Sequence, residues 1–380
     1  MTDRPRISIF ETALLISPAA VNAGGLYLMS SGRIAGIEAE ASVKFLLFLP
    51  WQALGMTIVK CGVDSWILSR AVDWPGRSLD LRSLVLKRYV PLALAVGLLL
   101  GSRLAVEVCA VAAVTALMDA LAAVLTNEMA AQARVKAAGA ASMLKFPLFF
   151  GLTFVLAQLS QVGLQLLMVL FSVTSALRLG VLLWLRPAGR TAGERPKTGS
   201  LAVQQVLNYG LFKNDQLATG IINRATAGSD ALFVYLARFP ELISVLVTAT
   251  GPLIYPQLYA QRAAPGFAGM PAEWRTVATV ALVVAMALLY AATGAHVVSQ
   301  GVWPLVPAVT LSGLLVVPVN YRTYSLLREQ RERELVAGLL KGNLVGVLAI
   351  GALVVASGAV APVVLWVIPA QQILFLWATR

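Results

Sequence analysis

The sequence predicts an all-α integral membrane protein of about twelve transmembrane helices arranged as two six-helix bundles. Three observations predict it. Of 380 residues, 58% are hydrophobic and 13% charged, and the mean hydropathy is +0.79, whereas a soluble domain carries about 25% charged residues. Apolar runs of about 20 residues, each long enough to cross about 30 Å of hydrocarbon, recur from end to end. Basic residues collect on alternate connections between these runs.

The runs lie near 8 to 30, 42 to 69, 88 to 102, 105 to 125, 142 to 158 and 161 to 186, then 201 to 223, 230 to 256, 276 to 298, 302 to 323, 335 to 356 and 360 to 379. The first carries Glu11, Pro18 and Asn22 and is read as a retained span rather than a cleaved leader. The stretch from Phe146 to Leu185 is too long for one span and is divided at Gln158, Ser160, Gln161 and Gly163.

Arg70, Arg77, Arg82, Lys87 and Arg88 fall on one connection. Arg134, Lys136 and Lys145, then Arg186, Arg190, Arg195 and Lys197, then Arg262 and Arg275, then Arg322, Arg328, Arg331 and Arg333 fall on every second one after it. The connections between hold only Arg33, Arg103 and Arg224. Positive residues stay on the cytoplasmic side, so both termini are expected there, with an even number of spans. This topology also accounts for the net charge of +12 without a nucleic-acid partner, because the cations sit singly between apolar spans.

Arg33, Pro50 and Arg70 recur as Arg224, Pro240 and Arg262 at an offset of about 190 residues, as expected for a parallel internal repeat. The expected bundles are residues 1–190 and 191–380, joined by the polar linker Pro187 to Ser200. Coincidence among common residues remains the other reading of three matched positions.

Charges inside spans are costly and therefore informative. Lys44 and Lys60 lie on the second span, Lys213 and Asp215 on the seventh, Arg238 and Glu241 on the eighth, with Arg33 and Arg224 at the outer ends of the first and seventh. Asp119 and Arg178 stand apart from this group. Cations facing one cavity suit an anionic ligand, since Arg and Lys there replace its hydration. Arg33, Lys44, Lys213, Arg224 and Arg238 are the candidate substrate-binding residues; Asp215 and Glu241 are candidates for ion coupling or charge pairing. The alternative is local pairing or snorkelling: Lys60 with Asp64 four residues on, Arg238 with Glu241 three on, and Lys44 near the outer interface. Pro18, Pro50, Pro240 and Pro252 should each bend a span.

One histidine, His296, and two cysteines, Cys61 and Cys109, leave no basis for a metal centre or a disulfide framework, and no cofactor is expected. Glu38 and Glu40 form an outer acidic pair of the kind a membrane glycosyltransferase uses, although a solvated loop fits them better. A Walker A loop is absent. The connection RAVDWPGRSLDLRSLVLKR lacks the Gly-x-x-x-Asp-Arg-x-Gly-Arg pattern of major-facilitator transporters.

The segment Thr57 to Ala71, TIVKCGVDSWILSRA, resembles the end of the second span in polysaccharide transporters. Asn214 to Gln261, NDQLATGIINRATAGSDALFVYLARFPELISVLVTATGPLIYPQLYAQ, resembles their seventh and eighth spans through Asp215, Tyr235, Arg238 and Pro256. The family is that of the Wzx-type flippases of lipid-linked oligosaccharides, in the MOP superfamily with MurJ and the MATE exporters. The chain is short for that group and lacks an acidic partner to Asp215 on its first span. The resemblance implies a V-shaped pair of bundles in a bacterial inner membrane that turns an undecaprenyl diphosphate-linked glycan from the inner to the outer leaflet for surface polysaccharide. It implies no enzymatic activity, and it names the anionic lipid-linked glycan, membrane lipids and a polysaccharide polymerase or glycosyltransferase as partners. A MATE-like exporter is the nearest rival, and it would need acidic rather than basic cavity residues for a cationic substrate.

Reporter fusions test the topology: both termini and the Pro187 to Ser200 linker should report from the cytoplasm, and an external linker would break the two-bundle scheme.

Overall fold

The computed structural model describes residues 21–29 in part, 34–69, 77–101, 106–132, 134–186, 190–191, 199–222, 305–357 and 362–379. Helix α1 (Ala39–Lys60) leads into the short α2 (Val63–Ser69). A turn of helix, Leu81–Leu84, and a π-helical segment, Val85–Tyr89, enter α3 (Val90–Gly101). Then follow α4 (Val106–Ala131), α5 (Val135–Met143), α6 (Phe146–Leu159) and α7 (Leu164–Leu185). After the linker come α8 (Gly199–Ile222), α9 (Val306–Arg328), α10 (Glu332–Ser357) and α11 (Val367–Ala378), the last entered by a 3-10 turn, Pro362–Trp366. Strands β1 (Arg77–Ser78) and β2 (Arg190–Thr191) pair in parallel.

Five stretches among the described residues are long and apolar enough to cross a membrane: Ala39–Lys60, Ala110–Ala131, Lys136–Leu159, Leu164–Leu185 and Glu332–Ala356. Their outer faces suit lipid. Leu98, Leu159, Trp184 and Val355 are large, apolar and largely exposed, as expected where the solvent is hydrocarbon rather than water. The expected spans 230 to 256 and 276 to 298, and most of 8 to 30, lie outside the described residues. Of the six residues that carry the proposed repeat, only Pro50 lies within them.

Two expectations about the spans need correction. The second span, read as one run from 42 to 69, is interrupted. Cys61 adopts φ 49° and Gly62 φ 73°, both left-handed, and the Cys61 N–H bonds the Ile58 carbonyl at 3.1 Å, closing α1. A Cβ on Gly62 would sit 2.8 Å from the backbone nitrogen of Ala202, so only glycine lets α8 approach this turn. The connection from 126 to 141, read as a basic loop, is mostly helix. Ala130, Ala131, Ala137, Ala138, Ala140 and Ala141 are strong helix formers, and they extend α4 and start α5 early. The divided run behaves as read: α6 ends at Leu159, Ser160 is extended, and α7 starts after Gly163. There Val162 bridges Ile37, with its N–H on the Gly36 carbonyl at 2.8 Å, and Gly36 (φ 88°) lies against the Ala157 carbonyl, where a side chain would collide.

The core before the linker centres on aromatic rings. Phe45 stacks on Phe149 at 5.4 Å between centroids, and Phe171 meets both edge-on at 5.6 and 5.5 Å. Such pairs add to the stabilisation from burial itself. After the linker, Leu211, Val319, Leu326, Leu335, Leu339 and Phe375 form a second core. Between α9 and α10 the chain turns at Gln330 (φ 59°), with Arg331 N–H on the Leu326 carbonyl and Gln330 N–H on the Leu327 carbonyl, a Schellman closure. Burial opposes ionisation of Glu329 at this turn, yet hydrogen bonds from Arg331 and Ser325 hold its carboxyl below the usual range.

The Gly62 geometry yields a stability test. Gly62→Ala should lower thermal stability in detergent by about 1 kcal/mol or more, because it adds strain at a left-handed position. Gly180→Ala, in α7 with open space around it, should be neutral or stabilising by up to about 1 kcal/mol.

Candidate functional site: the polar faces of the first helix after the linker

Helix α8 has a mixed sequence, with Gln204, Gln205, Asn208, Tyr209, Lys213, Asn214, Asp215 and Gln216 among apolar residues. It packs on α1 and α2 on one side and on α10 and α11 on the other, so it is the shared wall between the two parts of the chain.

The side toward α1 and α2 is held by partly buried polar contacts. Gln205 Nε2 donates to Asp64 Oδ1 at 2.7 Å and to Ser65 Oγ at 2.6 Å. The other Asp64 oxygen takes Lys60 Nζ at 2.7 Å, the pairing the sequence spacing allows. One turn further along α8, the Tyr209 hydroxyl donates to the Pro50 carbonyl at 2.6 Å. The missing N–H of Pro50 frees a carbonyl one turn before it, whereas the Tyr209 bond goes to the Pro50 carbonyl itself and ties α1 to α8 there.

The side toward α10 and α11 is polar but uncharged. Asn214 Nδ2 donates to Asn343 Oδ1 at 3.0 Å and to Gln371 Oε1 at 3.3 Å. Asn343 Nδ2 reaches the Leu207 carbonyl, and Gln371 Nε2 reaches the Gly210 and Leu211 carbonyls at 3.2 and 2.5 Å. Gly210, Gly342 and Gly346 sit where a Cβ would collide with these partners. Small residues thus let the three helices approach closely enough for the carboxamides to bond, as at other membrane helix contacts.

Lys213 follows Gln205 and Tyr209 at four-residue steps and so continues the stripe that faces α1. It is half-buried. Asp215, buried, lies two positions on and therefore on a different side of the helix, with Oδ1 accepting the Gln216 N–H at 2.8 Å. Lys44 lies in the first turns of α1, its Nζ 2.6 Å from Glu40 Oε1, with both side chains well exposed. Glu40 is therefore in the first turn of α1 rather than in a loop, and Glu38 is the residue that precedes the helix. Arg33, Arg224, Arg238 and Glu241 lie outside the described residues, as does any facing of Arg238 with Lys213.

A second polar centre lies inside the part before the linker, and the sequence reading divided it. Asp119 on α4 is buried, and its Oδ2 accepts from Lys145 Nζ at 2.5 Å and from Gln52 Nε2 at 2.7 Å. The Lys145 ammonium also lies 4.0 Å from the centroid of the Phe171 ring. The charge pattern of the sequence groups Lys145 with the basic residues of a connection, yet it is almost wholly buried. The signal for this was its position between Met143–Leu144 and Phe146–Pro147, apolar on both sides. At the basic end of the same bundle, Arg186 grips Glu128 with Nε at 3.1 Å and Nη2 at 3.0 Å, and Nη2 also reaches the Leu79 carbonyl at 2.6 Å. Among the described residues no three His, Cys, Asp or Glu side chains gather as a metal would need.

The Asp119–Lys145 pair gives a measurable expectation. Asp119→Asn alone should cost about 3–5 kcal/mol in thermal stability, since it strands a buried ammonium, whereas Asp119→Leu with Lys145→Met should recover most of the loss.

No family model matches the chain, and no curated protein matches it. Solved structures do. An outward-facing multidrug resistance MATE family transporter of the MOP superfamily aligns over 97% of this chain and 94% of its own, with 13% identity and a TM-score of 0.55. MATE in complex with Br-NRF aligns over 97% and 95%, with 14% identity and a TM-score of 0.54. A MOP superfamily transporter from Pyrococcus furiosus, for which reverse polarity of the binding pocket suggests a different function, aligns over 97% and 93%, with 13% identity and a TM-score of 0.55. Likeness at this level of identity is likeness of fold: this multi-pass membrane chain folds as the MATE-type transporters of the MOP superfamily do.

Proposed function

We propose that this chain is a membrane transporter, not an enzyme, and that it moves an anionic amphiphile, an undecaprenyl diphosphate-linked oligosaccharide, from the inner to the outer leaflet of a bacterial inner membrane. The observation that carries the reading is the placement of Lys213: a half-buried ammonium on the α8 stripe that faces α1, where the two parts of a MOP-type fold meet. In this proposal two six-helix bundles, residues 1–190 and 191–380, rock about that contact with both termini in the cytoplasm. Arg33, Lys44, Arg224 and Arg238 add positive charge toward the same space, and the diphosphate supplies the matching negative charge. Asp215 and Glu241 take the role of ion-responsive or pairing acids. A glycosyltransferase or polymerase would supply and consume the glycan at the two faces.

A second reading, export of small molecules, is favoured by the fold shared with MATE transporters. The two readings separate on substrate sign. In proteoliposomes the wild-type protein should translocate a lipid-linked anionic glycan and leave a cationic dye gradient unchanged; the reverse pattern would establish the second reading.

Lys213→Ala should reduce glycan translocation about ten- to hundred-fold at normal abundance, the loss of one charge-assisted contact worth about 1.5–3 kcal/mol. Lys213→Arg should keep part of the activity. If Lys213→Gln with Asp215→Asn restores what Lys213→Gln loses, the lysine only neutralises an acid and the ligand-binding role fails.

A further inference from the structure

The hydrogen bonds from Gln205 and Tyr209 that join α8 to α1 and α2 carry no charge on the α8 side. The charge they meet is complete without them. Asp64 is buried, its Oδ2 holds Lys60 Nζ at 2.7 Å, and its Oδ1 accepts the Ser65 N–H at 3.0 Å, so both partners come from its own stretch of chain. The Tyr89 hydroxyl braces the same turn by donating to the Lys60 carbonyl at 3.3 Å. From α8 Asp64 takes one further bond, the Gln205 carboxamide, which Ser65 Oγ shares. Withdrawal of α8 therefore leaves the carboxylate paired, and the separation strands no buried charge.

The carboxamide is itself only half satisfied while the contact is closed. Gln205 Oε1 is buried and meets no donor among the described residues. A buried acceptor without a donor is costly, and water supplies one once α8 moves away. The bonds that Nε2 loses and the hydration that Oε1 gains oppose each other, so opening returns part of what it costs.

The backbone places this contact on the route to Lys213. Cys61 and Gly62 are both left-handed, and a Cβ on Gly62 would lie 2.8 Å from the Ala202 nitrogen and 2.8 Å from Leu201 Cβ. The turn thus abuts the start of α8, beside the linker. Gln205 precedes Lys213 by eight residues, about 12 Å along the helix. The closed contact stands between the linker side of the membrane and the lysine.

We propose that Gln205, Asp64 and Ser65 form the latch of a gate on the linker side, closed in this structure, which opens by releasing a neutral carboxamide while the Lys60–Asp64 pair stays whole. The gate admits substrate to Lys213, an assignment that rests on the transporter reading above. An ion pair across the contact would hold the gate shut, and two like charges would drive it apart. A carboxamide opposite a carboxylate already paired does neither.

The test reads opening without any substrate. With Cys109→Ser, Cys61 is the one thiol of the chain, half-buried at the closed turn, and its alkylation by a small maleimide is followed in nanodiscs in mildly alkaline buffer. Gln205→Glu sets a second carboxylate against Asp64 and should speed alkylation about ten-fold or more. Gln205→Leu removes the bonds and the unsatisfied oxygen together and should change the rate by less than about three-fold. Gln205→Glu with Asp64→Asn moves the carboxylate onto α8, where Lys60 pairs with it across the contact, and should return the rate to the wild-type value or below. Equal rates in wild type and Gln205→Glu, or a double variant as fast as Gln205→Glu alone, overturn the latch. Ala202→Cys, cross-linked to Cys61 by oxidation, leaves Gln205 in place; it should stop translocation until reductant is added, and unchanged translocation by the cross-linked protein overturns the latch as well. The expected order of alkylation rates in a protein that moves no glycan in proteoliposomes would uphold the latch and remove the flippase reading.

Discussion

In the interior of a membrane a charge cannot be left to water, and the described part of this protein is organised around that constraint. Lys60 with Asp64, Lys145 with Asp119, and Arg186 with Glu128 each close a pair out of solvent. Two of the three join helices distant in sequence: Asp119 ties α4 to the start of α6 and, through Gln52, to α1, while Glu128 ties α4 to the end of α7 and to Leu79. The aromatic packing of Phe45, Phe149 and Phe171 lies beside the first of these, with the Lys145 ammonium over the Phe171 ring. Removing one member of such a pair leaves a stranded charge, so the pairs set which helices must be neighbours even where the apolar contacts alone would tolerate other arrangements.

Helix α8 applies the same constraint differently on its two sides. Toward α1 and α2 it meets a charged group, Asp64, and a carbonyl of a proline-containing helix, through two long side chains, Gln205 and Tyr209. Toward α10 and α11 it uses carboxamides held between glycines. Both contacts are close: on the first side Gly62 lets α8 approach the end of α1, and on the second Gly210, Gly342 and Gly346 do the same for α10 and α11.

Much of the fold was legible because hydrophobic length is a strong signal in membranes. The spans near 105 to 125, 161 to 186, 201 to 223 and 335 to 356 all coincide with helices, and the break near Gln158 to Gly163 falls where Ser160 and Gly163 end and begin them. Lys60 and Asp64 were legible as neighbours on one face. The turn at Cys61 was not, since a left-handed cysteine has no sequence signature and the apolar run continues past it. Lys145 was misplaced because counting basic residues near span ends treats all of them as solvated, and its partner is 26 residues away. The bond from Tyr209 to Pro50 spans 159 residues, a separation that no local pattern encodes. Of the candidate anion-binding residues, Lys44 and Lys213 can be placed on their helices, whereas Arg33, Arg224 and Arg238 fall outside the described residues.

The pairing of β1 with β2 has a mechanical consequence. It fastens Arg190 and Thr191, the first part of the linker, to Arg77 and Ser78, and Arg186 just before them is clamped to Glu128. Only the residues numbered 192–198 then separate that anchor from the start of α8, a leash of at most about 30 Å when fully extended. On so short a leash Gln205 and Tyr209 stay near their partners even after the contact opens, at an effective concentration on the order of millimolar. Closure is then a unimolecular return rather than a search, and its frequency is set by how often the bonds break rather than by how far the parts can drift.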